Sequence, residues 1–321
     1  MKRAAKIWLI VAAALVLIGG ILFVAVMTQQ RWNFGAFKTE GFGTETVEID
    51  GAFTDISIHS TIEEIAFAEA EDGKCKVVFY DHPKVEKTAE VRDGTLTVET
   101  EGAWPWYKSI FSFSTETPRI TVYLPETAYK TLTVRESTGD AVIPNAFAFE
   151  VIDVEASTGD IACYASETEH IRIKTTTGDV RVEGINTGAL TVTTTTGSVN
   201  LASVVCDGEV SVTVSTGKAR LKDVTAKTLA SEGSTGDLAM ENVLIQETVS
   251  IRRSTGDVRM TACDASALTI ETETGDVIGT LLSAKVFQTK TDTGDVSVPA
   301  STSGGACRIT THTGDIRIAL P

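Results

Sequence analysis

Residues 171–183 read Ile-Arg-Ile-Lys-Thr-Thr-Thr-Gly-Asp-Val-Arg-Val-Glu. Ile171, Ile173, Thr175 and Thr177 before the glycine, and Val180 and Val182 after it, alternate with Arg172, Lys174, Thr176, Asp179, Arg181 and Glu183. A period of two on both sides of Gly178 predicts two half-buried strands meeting at a corner. The same corner, Thr-Gly-Asp or a close relative, recurs ten times, with glycine at Gly139, Gly159, Gly178, Gly197, Gly217, Gly236, Gly256, Gly275, Gly294 and Gly314. Successive glycines are 19 or 20 residues apart throughout. Such a period marks a solenoid, in which one coil cannot bury its apolar face until a neighbour stacks on it.

The other coils keep the alternation: Leu190, Val192, Val199 and Leu201; Val210, Val212, Ala219 and Leu221; Val249, Ile251, Val258 and Met260; Ile309, Ile316 and Ile318. No segment between corners sustains a 3.6-residue period, and Val, Ile and Thr dominate as in strands. The chain therefore reads as all-β, a β-solenoid of about ten coils, each with at least two strands and two corners. Right-handed coiling follows from the usual crossover chirality. At about 4.8 Å per coil the rod is about 45 to 50 Å long.

The recurrent glycine is expected at positive φ, which a side chain adopts only at a cost. Threonine precedes it in all ten coils, and in Thr175/Thr177, Thr194/Thr196, Thr272/Thr274, Thr291/Thr293 and Thr311/Thr313 a second threonine lies two residues earlier. Both are expected on the buried face, with hydroxyls bonded to one another and to corner backbone. An outward Thr-x-Thr array would suggest ice binding instead, and the phase of the alternation argues against it. Aspartate follows the glycine at Asp140, Asp160, Asp179, Asp237, Asp257, Asp276, Asp295 and Asp315, with Ser198 and Lys218 in the middle coils. Capping of turn N–H groups accounts for this row. A calcium-binding edge is the rival reading, although the repeat lacks the glycine-rich form of calcium-loaded β-rolls.

Residues 7–27 form an apolar run, preceded by Lys2, Arg3 and Lys6. Its length predicts a transmembrane signal anchor, with residues 1–6 cytoplasmic and the remainder extracellular, and a cleaved signal peptide as the alternative. The expected layout continues with a linker over 28–43, an N-terminal β cap or degenerate coils over 44–130, and regular repeats over 131–321. The first 31 residues hold four basic and no acidic side chains, leaving 24 basic against 43 acidic and a net charge of −19 on the rest. So acidic a surface disfavours nucleic acid and other polyanions as partners.

The five cysteines are not spaced as a disulfide framework. Cys163 and Cys307 both point inward but lie far apart along the rod, and buried small hydrophobes describe them better than redox chemistry. Trp104, Pro105, Trp106, Tyr107, Phe111 and Phe113 form the one aromatic cluster. It reads either as a plug for the solenoid end or as a carbohydrate or membrane-interface platform. His59, His82, His170 and His312 are dispersed, and no metalloprotease, nucleophile-elbow or phosphate-loop motif occurs. No catalytic, cofactor-binding or metal residues are assigned, and no cofactor is expected.

With the repeats, the leading apolar run and Tyr123-Leu124-Pro125-Glu126 in hand, the chain resembles the bacterial "putative adhesin" family, a β-solenoid domain of unknown function. The likeness rests on serial turns at Ser137 to Ala141, Ser157 to Ile161, Thr176 to Val180, Ser234 to Leu238 and Ser254 to Val258. It implies a membrane-anchored surface protein of Gram-positive bacteria. The function expected is adhesion or interaction with an envelope protein or polysaccharide, without catalysis. An envelope-stress regulator acting through a membrane partner is the alternative. A carbohydrate-active β-helix enzyme fits less well, because coils this uniform leave no room for cleft-building loops.

Overall fold

The computed structural model describes residues 3–29, 42–81, 85–101 and 117–320. The chain divides into two units, one of Met1–Phe42 with Ala103–Glu116 and one of Gly43–Gly102 with Thr117–Pro321. In the first, α1 (Arg3–Gln29) is a single helix. Among the described residues no helix is long and apolar enough to cross a membrane. This corrects the expected localisation: a single-pass plasma-membrane anchor with a cytoplasmic N-terminus and an extracellular C-terminal part is not supported.

The second unit is one continuous β structure. Its first strands are β1 (Gly43–Glu48), β2 (Asp55–Ser60), β3 (Glu64–Glu69), β4 (Lys76–Asp81), β5 (Glu86–Arg92), β6 (Thr95–Glu101) and β7 (Arg119–Leu124). Then come β8 (Ala128–Thr138), β9 (Ala141–Ile143), β10 (Ala148–Thr158), β11 (Ile161–Cys163) and β12 (Thr168–Thr177). Whole coils run as β13 (Val180–Thr196), β14 (Val199–Thr216), β15 (Ala219–Thr235), β16 (Leu238–Thr255) and β17 (Val258–Thr274). The chain finishes with β18 (Val277–Leu281), β19 (Lys285–Thr293), β20 (Val296–Ser297), β21 (Gly305–Thr313) and β22 (Ile316–Ala319).

From β8 to β17 each coil pairs in parallel with the next, so Thr158, Thr177, Thr196, Thr216, Thr235, Thr255 and Thr274 stand in one column. Each coil has three sides rather than two. Along β14 the buried side chains are Val199 and Leu201, then Val204 and Cys206, then Val210, Val212 and Val214. The phase slips at Ser203, whose φ is 53°, and pairing to the next coil shifts register after Cys206. Asp223, Asn242 and Ala262 repeat the same positive φ in the following coils. Every apolar position predicted from the alternation in the coils around Gly178, Gly197, Gly217, Gly256 and Gly314 is buried.

The rungs do not stack in chain order at either end. At the amino end β2 lies between β6 and β8, parallel to both. At the carboxyl end β21 lies between β17 and β19, again parallel to both. Thr274, Thr313 and Thr293 are therefore successive in space although Thr313 comes last in the chain. The amino end is covered by antiparallel strands, with β5 on β6, β4 on β7 and β1 on β4.

Candidate functional site

The Thr-Gly-Asp corners build a ladder with three kinds of rung-to-rung hydrogen bond. First, the glycine N–H donates to the threonine carbonyl of the next rung, as in Gly159 to Thr177 at 2.9 Å. Second, the N–H after the glycine donates to the aspartate Oδ1 of the preceding rung. Asp160 bonds Asp140 at 2.8 Å, Asp179 bonds Asp160 at 2.7 Å and Ser198 bonds Asp179 at 2.7 Å. The ladder lapses where Ser198 and Lys218 lack a carboxylate and resumes from Asp237 to Asp257, Asp276, Asp315 and Asp295.

Third, the inward threonine three residues before the glycine donates to the glycine carbonyl of the neighbouring rung. Thr194 bonds Gly178 at 3.2 Å and Thr311 bonds Gly275 at 3.2 Å. The hydroxyls of Thr175, Thr194, Thr291 and Thr311 thus bond backbone rather than one another, while that of Thr272 is buried without a partner. The threonine immediately before the glycine, such as Thr177, is exposed, because the chain has already turned outward there. A hydroxyl pair does form elsewhere, between Thr168 and Thr187 at 2.7 Å.

The glycine is required on two counts. Gly159 has φ 143°, and a Cβ built on it would lie 1.6 Å from the Gly139 carbonyl oxygen. No L side chain accepts either condition.

Two positions in the inward column, Glu136 and Arg253, hold chargeable groups, and a third, Glu63, is buried at the corner beside it. The corner 60–63 of the β2–β3 rung takes the place of a Thr-Gly-Asp turn. Its Glu63 Oε2 accepts from Ser60 Oγ at 2.7 Å, Thr100 Oγ1 at 2.9 Å and the amides of Ile62 and Thr61 at 3.0 and 3.1 Å. Burial pushes this carboxyl up, but the Ile62 amide and the Ser60 and Thr100 hydroxyls outweigh it and hold it below the usual range. One rung on, Glu136 is 6% exposed and neither carboxyl oxygen has a hydrogen-bond partner. Burial, reinforced by the charges of Asp140, Glu63 and Glu64, pushes its pKa up to about 8, so it is neutral at pH 7. Ser60, Thr100 and Glu136 edge a groove of about 550 Å³ shared with His59, Arg135 and Lys174. Further along, Arg253 is buried with Nη2 on Ser231 Oγ at 2.7 Å, and burial lowers its pKa to about 10. Its Nη1 occupies the space a Cβ on Gly233 would need.

At the carboxyl end the Lys285 ammonium, 3% exposed, donates to Asp264 Oδ1 and Ser283 Oγ, each at 2.6 Å. Ser283 also donates to Asp264 at 2.9 Å. The trio is a part-buried ion pair completed by a serine hydroxyl. All five cysteines are free and buried. Burial raises the thiol of Cys163 to about 12 and those of Cys75 and Cys307 to about 11, which makes them poor nucleophiles. His59 and His312 are exposed and His170 half-buried, on separate rungs. His82 and the aromatic cluster from Trp104 to Phe113 lie outside the described residues. Among the described residues no group of three or more His, Cys, Asp or Glu side chains is placed to hold a metal ion.

The column of inward polar residues was legible at its threonines. Glu136, Arg253 and Lys285 were missed because nothing local distinguishes an inward charge from the outward charges that alternate with the core. Counting back three from each glycine would have found the first two.

The family model described as Toastrack DUF4097 matches residues 53–217 and again 205–321. Comparison with curated proteins finds no match. Among solved structures, a putative adhesin from Parabacteroides merdae shares 13% identity at a TM-score of 0.53, covering 75% of this chain and 96% of its own. A putative adhesin from Bacteroides fragilis shares 14% identity at 0.42, covering 87% and 98%. A putative lipid binding protein from Parabacteroides distasonis shares 12% identity at 0.45, covering 86% and 97%. At these identities the likeness speaks to the fold.

Proposed function

The chain belongs to the Toastrack DUF4097 family, and from that premise we propose that its solenoid is a non-catalytic interaction rod of the adhesin type. Its outer side chains would engage an envelope protein or polysaccharide rather than nucleic acid. One observation carries the reading: from Val180 to Thr274 the coils follow one another through single-residue register shifts, with no loop inserted to wall a cleft. The outward side chains there repeat from rung to rung, which suits extended contact better than enclosure of a small substrate. The net charge of −15 on the whole chain argues against polyanions.

The test is retention of the full chain on isolated cell envelopes and on immobilised envelope polysaccharides, with reducing ends assayed in the same incubations. Saturable binding that unlabelled chain competes away, with no new reducing ends, is expected. Absence of saturable binding overturns the interaction role, and release of reducing ends overturns the non-catalytic one.

A further inference from the structure

The two ends of the rod differ. At the amino end the outermost strands β6 and β7 are each covered by an antiparallel strand. At the carboxyl end β19 pairs only with β21 and β20 only with β22, among the described residues. One edge of each is open, and the inward residues of this last rung have no further rung above them. Val296 is 45% exposed whereas its register partner Ile316 is fully buried. Phe287 is half-buried whereas its partner Cys307 is 1% exposed.

An open parallel edge is a template for another strand, and proteins usually blunt it. At the amino end the edges of β6 and β7 are taken by β5 and β4, and the edges left there belong to the antiparallel strands β5 and β1 rather than to a parallel rung. The matching surface on a second copy is the same open end, and a contact between identical surfaces is two-fold. The charges on β19 suit that geometry. Lys290 and Asp292 lie on its outer face, well exposed and 3.1 Å apart. A two-fold axis through Thr291 sets β19 antiparallel to its copy, Thr289 opposite Thr293, and Lys290 opposite Asp292 twice over. We infer that this chain forms a tail-to-tail dimer by antiparallel pairing of β19 with β19 of a second copy about Thr291.

Sedimentation of the full chain across a wide concentration range tests this, with thermal unfolding as the check on each variant's fold. The wild type is expected to shift from monomer to dimer. Lys290→Asp and Asp292→Lys place like charges opposite one another and should each weaken the dimer by about tenfold, with the double reversal restoring it. In a separate variant, Thr291→Cys should form a disulfide between copies, since residues facing each other across an antiparallel pair are about 4.5 to 5.5 Å apart at Cα. A monomer at every concentration overturns the inference. So does a dimer indifferent to both single reversals, the result expected if the exposed apolar side chains of α1 held the copies together.

Discussion

Thr291 Oγ1 donates a 3.0 Å hydrogen bond to the carbonyl of Gly314, a residue that follows it by 23 positions yet occupies the rung beneath it. The same inversion appears in the Asp295 amide, which donates to Asp315 Oδ1, and in the Asp315 amide, which donates to Asp276 Oδ1. The corner bonds that join sequential coils elsewhere here join coils out of order. Because the rungs of Gly275, Gly314 and Gly294 carry the same Thr-Gly-Asp corner, they stack out of chain order through the same bonds. Chain order is then set by the connections rather than by the rungs.

Gly197→Ala should be among the most damaging single changes. Its φ is 146° and the new methyl would sit 1.9 Å from the Gly178 carbonyl oxygen. A loss above about 3 kcal/mol is expected in denaturant unfolding. Alanine at exposed Thr196 next to it should cost less than about 1 kcal/mol.

Glu136 makes stability fall with pH. Its folded pKa of about 8 lies above the ordinary glutamate value of 4.5, so the native state holds a proton that the unfolded chain gives up first. The cost of burial is absent below about pH 4.5, grows through the interval and levels off above about pH 8, with an upper bound of about 5 kcal/mol. Glu136→Gln should unfold later than wild type at pH 8, and the difference between the two should vanish near pH 4. Parallel profiles would show that Glu136 is already ionised in the fold.

The aspartate ladder predicts a gain as well as a loss. Asp179→Ala removes the acceptor for the Ser198 amide and should cost about 1 kcal/mol. Ser198→Asp supplies an acceptor to the Lys218 amide, as Asp179 does for Ser198, and should raise the thermal midpoint.

Arg253 is the one cation in a column that elsewhere holds threonine, valine, alanine, glycine and Glu136. Arg253→Met keeps the length and removes a buried cation that has no carboxylate partner, so a gain of about 1 to 3 kcal/mol is expected. Destabilisation instead would mean that the Ser231 contact outweighs the desolvation of the guanidinium.

How far the sequence foretold this structure differs by element. The Gly corners were fully legible, because one residue type alone satisfies the positive φ and the contact with the next rung. The second corner column was not, because Gly184, Ser203, Asp223, Asn242 and Ala262 fill it with five different residues. The turn there is wide enough to accept a side chain, and so leaves no signature. The exposed Thr177 and its equivalents were misplaced by carrying the strand period one residue too far into the turn. The rung inversion at the carboxyl end was invisible, since Phe287, Thr289 and Thr291, and Cys307, Ile309 and Thr311, alternate with outward residues as any sequential coil would. The site itself was legible only as structure: the aspartates were read as corner caps, and the partner of each cap is the next rung rather than its own turn.

Cysteine pairs at the exposed corner threonines test the stacking most directly. Thr313 is the register partner of both Thr274 and Thr293, whereas Thr274 and Thr293 are separated by a full rung. Rungs lie about 4.8 Å apart and a disulfide needs Cα atoms within about 7 Å. The five native cysteines are buried and contribute little background. Mild oxidation should join Thr274→Cys to Thr313→Cys and Thr293→Cys to Thr313→Cys, and should leave Thr274→Cys with Thr293→Cys unjoined. Efficient bridging of the 274 and 293 pair, with none between 274 and 313, would contradict the inverted stack, and failure of all three would contradict the solenoid.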